Sequence, residues 1–312
     1  MSQTPRHIPV MPRETIDVLA PAPTPAATYA DCTAGLGGHA TLVAAKLGPG
    51  GHVILNDADP GNLAHASARV QAAAPDITVT PFQGNFADLP RRMTEQGLAA
   101  DMVLADLGFS SNQMDTPERG FSFMRDGPLD MRLDPTLPIT AAELVNSMSE
   151  RDLTEMIEEF GEDPAARRIA RKLVQARAAE PITTTARLAD VIRSAVGPAA
   201  AHGPTDPSTR TFQALRIAVN DEMGSLDALL QSIARAAESI ANGRAAWLRP
   251  GARVATLTFH SLEDRRVKRT FTDLVKRGLA VEIIRGVLAP TEDETRENPR
   301  SRSAKLRAIR IG

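Results

Sequence analysis

The order of its apolar segments constrains this chain more than any other feature. Through the first third, short apolar stretches bounded by Gly, Pro, Asp or Asn alternate with Ala- and Leu-rich segments of helical composition. Strands are expected at Tyr29–Thr33, His52–Asp57, Ile77–Phe82 and Met102–Asp106, and helices at Ala40–Leu47 and Asn62–Ala74. A strand–helix–strand–helix order argues for a parallel sheet covered by helices on both faces.

The alternation then stops. From about Asn112 to Asp206 no segment reads convincingly as a strand. Leu153, Met156, Ile157 and Phe160 recur at helical spacing, as do Ile169 with Leu173, and Leu188 with Val191 and Ile192. Pro198, Gly203, Pro204 and Pro207 mark the exit from this block. Phe212, Leu215, Val219, Met223, Leu226, Leu230 and Ile233 then predict one long amphipathic helix, capped by Ser208 or Thr209 and stopped by Asn242-Gly243. Strands resume at Val254–Phe259, Val281–Arg285 and Leu306–Ile311, which brings the total to seven. The simplest organisation is an α/β core of residues 1–111 and 208–312, interrupted by an all-helical insert at 112–207. A length of 312 residues suits a core with a smaller second unit.

Bulk composition excludes several classes. Apolar residues are 42% and charged residues 24% of the chain, an ordinary globular balance. The single cysteine, Cys32, rules out an internal disulfide and zinc sites built on paired cysteines, and fits a reducing cytosol. With no apolar run of about 18 residues and no leader pattern at Met1, a cytoplasmic protein without membrane association is expected. Net charge is −2, but six Arg or Lys against one Glu lie between Arg296 and Gly312. A second basic run is Arg265-Arg266-Val267-Lys268-Arg269. Such runs are either solvated faces or the electrostatic footprint of a nucleic acid.

Four strand ends carry the candidate chemistry. After the first strand comes Asp31-Cys32-Thr33-Ala34-Gly35-Leu36-Gly37-Gly38-His39-Ala40, a glycine turn opening into a helix. Glycines there let backbone approach a ligand at the carboxyl edge of the sheet. Gly35, Gly37 and Ala40 also satisfy the loose dinucleotide pattern, so a nicotinamide enzyme fits this turn as well. Asp57 ends the second strand about 20 residues on, where a carboxylate accepts from ribose hydroxyls. Asp59 is an alternative for that role, or the cap of the next helix. The fourth strand ends in Asp106-Leu107-Gly108-Phe109, a carboxylate, a glycine turn and an aromatic beside the same crevice. That combination favours an enzyme transferring a methyl group to nitrogen, with an acidic acceptor and an aromatic to stack on a base. Phe259–Arg265 at the end of the fifth strand adds His260, read as a general base, a phosphate contact or an ordinary hydrogen-bonded histidine. Ligands at metal spacing are missing, so no metal is expected.

At these residues the chain resembles the RsmH/MraW family of small-subunit ribosomal RNA cytosine-N4 methyltransferases. The matching stretches include His7–Val10 with Glu14, Gly35–His39, Asp106–Gly108, Gln113 with Asp115, Glu118–Phe123, Pro128–Arg132 and Gly161-Glu162. Later come Thr209–Ile217, Asn220–Glu222, Phe259–Arg265 and Asn298–Arg307. The resemblance implies a Rossmann-like seven-stranded S-adenosylmethionine-dependent methyltransferase sheet with a helical insert. It implies that S-adenosyl-L-methionine is held by Gly37, Gly38, His39, Asp57, Phe86, Asp106 and Gln113. It implies 16S ribosomal RNA, within the small ribosomal subunit, as substrate, with the decoding or P-site region as target; a homodimer is left open. Asp106, Phe109 and His260 are the catalytic candidates, and Arg300, Arg302, Lys305 and Arg307 the RNA-binding ones. Three departures stand out: Ala58 where a basic residue is common between two acids, Ala252 after Pro250-Gly251, and the altered lead His202–Asp206.

Overall fold

The computed structural model describes residues 8–20, 26–197 and 206–312. His7, Pro198, Gly203, Pro204 and most of the His202–Asp206 segment lie outside the described residues. Contacts divide the chain into two units, residues 1–108 with 223–312, and residues 109–222.

The first unit is built on a seven-stranded sheet. Its strands are β1 (Thr28–Asp31), β2 (His52–Asp57), β3 (Thr78–Gln83), β4 (Ala100–Asp106), β5 (Leu248–Thr258), β6 (Ala280–Glu282) and β7 (Lys305–Ile311). They lie in the order β3-β2-β1-β4-β5-β7-β6. Pairings from β3 through β5 are parallel, as the alternation of strand and helix requires. β7 departs from a wholly parallel sheet: it runs antiparallel to both β5 and β6. This is a mixed, Rossmann-like sheet, and the direction of strand order reverses between β1 and β4. Ligands in open α/β sheets bind outside the carboxyl ends of strands at such a switch point.

Residue alternation along the strands supplies two cores. Tyr29, Val53, Leu55, Met102 and Leu104 face one side, against helices α1 (Pro12–Leu19), α2 (Gly38–Leu47) and α3 (Pro60–Ala73). Ala30, Ile54, Val103 and Ala105 face the other, against α4 (Leu89–Glu95) and the helices Glu222–Ala241 and Ser261–Lys276. Both faces are therefore buried in the middle of the sheet, which explains why β2 and β4 are apolar at nearly every interior position.

The second unit has its own core. It contains α5 (Ser111–Asp115), α6 (Ala141–Ser147), α7 (Glu150–Gly161), α8 (Ala166–Ala179), α9 (Thr185–Val196) and α10 (Ser208–Asn220). Leu153, Ile157, Ile169, Leu173, Leu188 and Ile192, spaced as the periodicity requires, bury together with Phe212 and Leu215. Among its described residues the only sheet-like pairing is the isolated bridge Pro128–Thr184.

Three local expectations change. The long helix is two, α10 and α11 (Glu222–Ala241), because Asp221 takes the left-handed conformation with φ 45°. Asn220 stabilises that stop: its Nδ2 donates to the Met131 carbonyl and its Oδ1 accepts from the Leu133 N–H. Helix α10 belongs with the helical unit rather than with the sheet, since its apolar side chains complete that core. Neither Ser208 nor Thr209 caps it; the Ser208 N–H is held instead by Asp206 Oδ1 at 2.8 Å.

Candidate active site

Geometry at the end of β1 explains the glycines. Gly35 and Gly37 adopt positive φ, 51° and 74°. A Cβ on Gly37 would lie 2.9 Å from the backbone Cα of Ala66, so α3 can approach only a bare backbone there. Gly38 begins α2 with no side-chain cap ahead of it, and Pro9 lies against it.

Carboxylates from the neighbouring strands converge on this turn. Asp57, ending β2, accepts the Gly35 N–H at 2.7 Å and the Asp59 N–H at 2.9 Å. Burial pushes its carboxyl up to about 6, although these hydrogen bonds act the other way. Asp59 takes the alternative part, capping α3 through the N–H groups of Gly61 and Asn62. Asn56 ties the strand ends together, donating to the carbonyls of Cys32 and Gly84 at 3.0 Å each.

Asp31, which the sequence reading quotes only as the start of the loop, is fully involved. Its Oδ2 accepts the buried Tyr29 hydroxyl at 2.9 Å and its Oδ1 accepts the Thr33 N–H. Burial raises it to about 7, with the Asp57 charge adding to the effect. The signal for it was present: Asp31 ends β1 just as Asp57 ends β2 and Asp106 ends β4.

Asp106 is the least satisfied of the three. Its N–H donates to Thr33 Oγ1. Its Oδ2 lies 3.5 Å from His39 Nδ1, and its Oδ1, closed off from solvent, has no hydrogen-bond partner among the described residues. Burial, followed by the negative charges of Asp31 and Glu263, holds its carboxyl well above the usual carboxylate range. His39 in turn is fixed through Nε2, 2.8 Å from the Val10 carbonyl.

The remaining candidates occupy other surroundings. Phe86 follows Asn85 past β3 and packs on the core beside α4. Asn85 is anchored by donating to Ser225 Oγ at 2.6 Å. His260 precedes α12 (Ser261–Lys276), with Nε2 3.2 Å from Glu263 Oε1. Glu263 Oε2 accepts the Phe259 N–H, so these two residues shape a helix start. Phe109 and Gln113 belong to the helical unit. The Phe109 ring stacks on Phe121 with centroids 5.2 Å apart, and the Arg216 guanidinium sits 4.9 Å from its centroid. Gln113 closes a capping box on α5, its Oε1 accepting the Ser110 N–H.

The basic tail divides. Arg300 and Arg302 are exposed on the turn Pro299–Ser303. Lys305 lies 3.3 Å from Asp264 Oδ2. Arg307 is buried, grips Asp264 with Nε at 2.8 Å and Nη2 at 3.2 Å, and donates to the Gly286 carbonyl. Reading Arg307 as a phosphate clamp is corrected by this: its guanidinium is committed inside the fold.

These residues fit one of the two cofactors left open by the glycine turn. A dinucleotide brings a pyrophosphate to the end of β1, where the Asp57 carboxylate would repel it and Asp31 and Asp106 offer no positive charge to offset that. S-adenosylmethionine has no phosphate and brings a sulfonium and an ammonium, both favoured by acidic groups. Asp57 is a carboxylate of the kind that adenosine hydroxyls require, and Gly37-Gly38 is a bare backbone turn beside it. Fold and site together define a Rossmann-like, S-adenosylmethionine-dependent methyltransferase.

Comparison with known proteins carries this to a family. The model of the MraW methylase family matches residues 4–311. A relative from Symbiobacterium thermophilum is 43% identical, with 97% of this chain and 96% of the relative covered. One from Geobacter sulfurreducens is 42% identical with 97% of each covered, and one from Synechocystis 42% identical with 96% and 92% covered. All three are named ribosomal RNA small subunit methyltransferase H. The chain belongs to the MraW methylase family.

Proposed function

We propose that this enzyme methylates the N4 amine of a cytidine in 16S ribosomal RNA, in the decoding region of the small ribosomal subunit, in the cytoplasm. The observation that carries the choice of an amine is Asp106, a carboxyl that ends β4 at the switch point of the sheet, is partly open to solvent and has an oxygen, Oδ1, without a hydrogen-bond partner among the described residues. The family relatives' names supply the ribosomal substrate.

When bound, S-adenosylmethionine supplies an electrophilic methyl group. Gly37, Gly38, His39 and Asp57 hold it in this reading, with Phe86 against its adenine. The exocyclic amine of cytosine is a poor nucleophile, because its lone pair is delocalised into the ring. Asp106 accepts a hydrogen bond from that amine, favours the pyramidal nitrogen and offsets the positive charge that develops on it. Holding the amine at about 3–3.5 Å from the methyl carbon supplies much of the remaining acceleration. The base must leave its stack to be reached. Within the helical unit, Phe109 is held by Phe121 and Arg216 and is the aromatic candidate for stacking on a base. His260 serves as a local organiser of α12 rather than as the base. Arg300 and Arg302 meet the RNA backbone, with Lys305 at their margin.

Asp106→Asn tests the central assignment on small-subunit substrate. Donor affinity is expected to stay within a few-fold by calorimetry, while turnover falls by roughly 10²-fold or more. Normal turnover in this variant would remove Asp106 from the reaction. Mass mapping of methylated cytidines with and without the enzyme tests the choice of base.

A further inference from the structure

The basic run Arg265–Arg269 has no part in the chemistry above, and α12 decides what it presents. Arg265, Lys268, Arg269, Thr272 and Lys276 stand at helical spacing, which aligns them along one stripe of the helix. All four cations are exposed, and at the rise of an α-helix they span about 16 Å. The opposite face, with Val267, Phe271 and Leu274, is buried against the sheet. The acids of the same helix are withdrawn from the stripe. Glu263 is 2% exposed and accepts the Phe259 N–H. Asp264 is taken by Arg307 at 2.8 Å and Lys305 at 3.3 Å. Asp273 lies on the flank, 3.3 Å from Arg277. Arg266 turns the other way, to Asp227 at 3.3 Å. The side chains of Lys268, Arg269 and Lys276 have no ion-pair or hydrogen-bond partner among the described residues. Net charge is −2, so a face with four cations and no acid is a marked local separation of charge. Like charges three and four positions apart repel along a helix, and a polyanionic partner offsets that repulsion.

The stripe starts at the sheet edge that carries Asp106. Helix α12 follows β5 directly, and β5 lies beside β4: Asp106 is in register with Leu257, and the Leu107 N–H donates to the Leu257 carbonyl at 3.0 Å. The start of β7 meets the same edge, with Lys305 in register with Thr258, so the turn Pro299–Ser303 reaches it too. We propose that this face of α12, centred on Lys268 and Arg269 and ending at Lys276, binds the phosphate backbone of ribosomal RNA and continues the contact of the Arg302 turn along the helix. The inference rests on the ribosomal substrate inferred above and adds the surface that carries the RNA away from the site. Such contact supplies affinity and register without reading bases.

The double variant Lys268→Gln with Arg269→Gln, in the full-length protein, tests this. Its binding to protein-free small-subunit ribosomal RNA and to an unrelated RNA of equal length is measured across a salt series, and methyl transfer is followed on small-subunit substrate. The slope of log affinity against log salt should fall by about 1–2, alike on both RNAs. KM for the substrate should rise by roughly tenfold while kcat stays within about twofold. Donor affinity and melting temperature should match the wild type, since both side chains are exposed. Lys46→Gln removes an exposed charge from α2, on the other face of the sheet, and should leave the slope unchanged. An unaltered slope in the double variant, or a loss confined to the ribosomal RNA, overturns the proposal. So does normal binding to free RNA with weakened binding to the assembled subunit, which would assign the stripe to a protein partner. A lowered slope in an enzyme that transfers no methyl group to ribosomal RNA would sink the substrate reading and leave the RNA surface standing, so the two failures are distinguishable.

Discussion

Asp31, Asp57 and Asp106 end neighbouring strands, and their shared environment gives the molecule a pH signature. Asp31 is raised from 3.8 to about 7 and Asp57 from 3.8 to about 6, both chiefly by burial. The folded state therefore holds protons that the unfolded chain has released. The associated stability is fully present below about pH 4 and is lost as pH rises through 6 and 7. Thermal unfolding of the donor-free protein should show a melting temperature that falls between pH 5 and pH 8 on account of these groups. Asp31→Asn should flatten that fall, and an unaltered slope would show that Asp31 is not its source. Gly37 sets a different limit. Alanine there meets the backbone of Ala66 in a left-handed conformation, so Gly37→Ala should destabilise the fold by about 1–3 kcal/mol in denaturant titration and weaken donor binding. Asp57 and Asp106 were legible as site residues because they end strands beside a glycine turn. Asp31 carries the same strand-end signal, but the extent of its involvement comes from burial and from Tyr29, which a linear pattern does not expose.

At the scale of elements, the sequence reports period and phase well and interruption poorly. The apolar stripe from Phe212 to Ile233 keeps helical spacing across Asp221, so it reads as one helix although two are formed. The break is stabilised by side-chain bonds from Asn220 to Met131 and Leu133, residues far away in sequence. Asn220→Ala should cost about 1–3 kcal/mol in unfolding experiments, since a buried carbonyl and N–H lose their partner. A cost near zero would place the origin of the break in Asp221 alone. Strand β7 gives the second lesson. Its basic residues resemble an RNA-binding tail, yet Arg307 and Asp264 form a paired, largely buried contact that joins β7 to α12. Burial by itself raises Asp264, but the hydrogen bonds and charges of Arg307 and Lys305 bring it below the usual carboxylate value. Arg307→Ala should therefore act on stability, by about 3 kcal/mol, more than on RNA affinity.

For the whole molecule, the relevant measurement is how RNA binding depends on salt. Arg300 and Arg302 project from the surface turn that precedes β7. Replacing both with alanine should lower the slope of log affinity against log salt by about 1–2, with donor binding unchanged. An unchanged slope would remove the turn from the RNA interface. Among the described residues no helix is long and apolar enough to cross a membrane.

The sequence by itself determined the number and order of the strands, the helical interruption and the location of the glycine turn. These depend on local periodicity and on residues whose backbone preferences are intrinsic. It also determined that Asp57 and Asp106 lie at strand ends. Only the tertiary structure decided that β7 runs antiparallel, that α10 joins the helical core, and that Arg307 is committed to Asp264. It alone set His39 between the Val10 carbonyl and Asp106, a relation that joins the chain's first residues to the end of its fourth strand. Such contacts depend on direction, burial and partners remote in sequence, none of which is encoded in a local pattern.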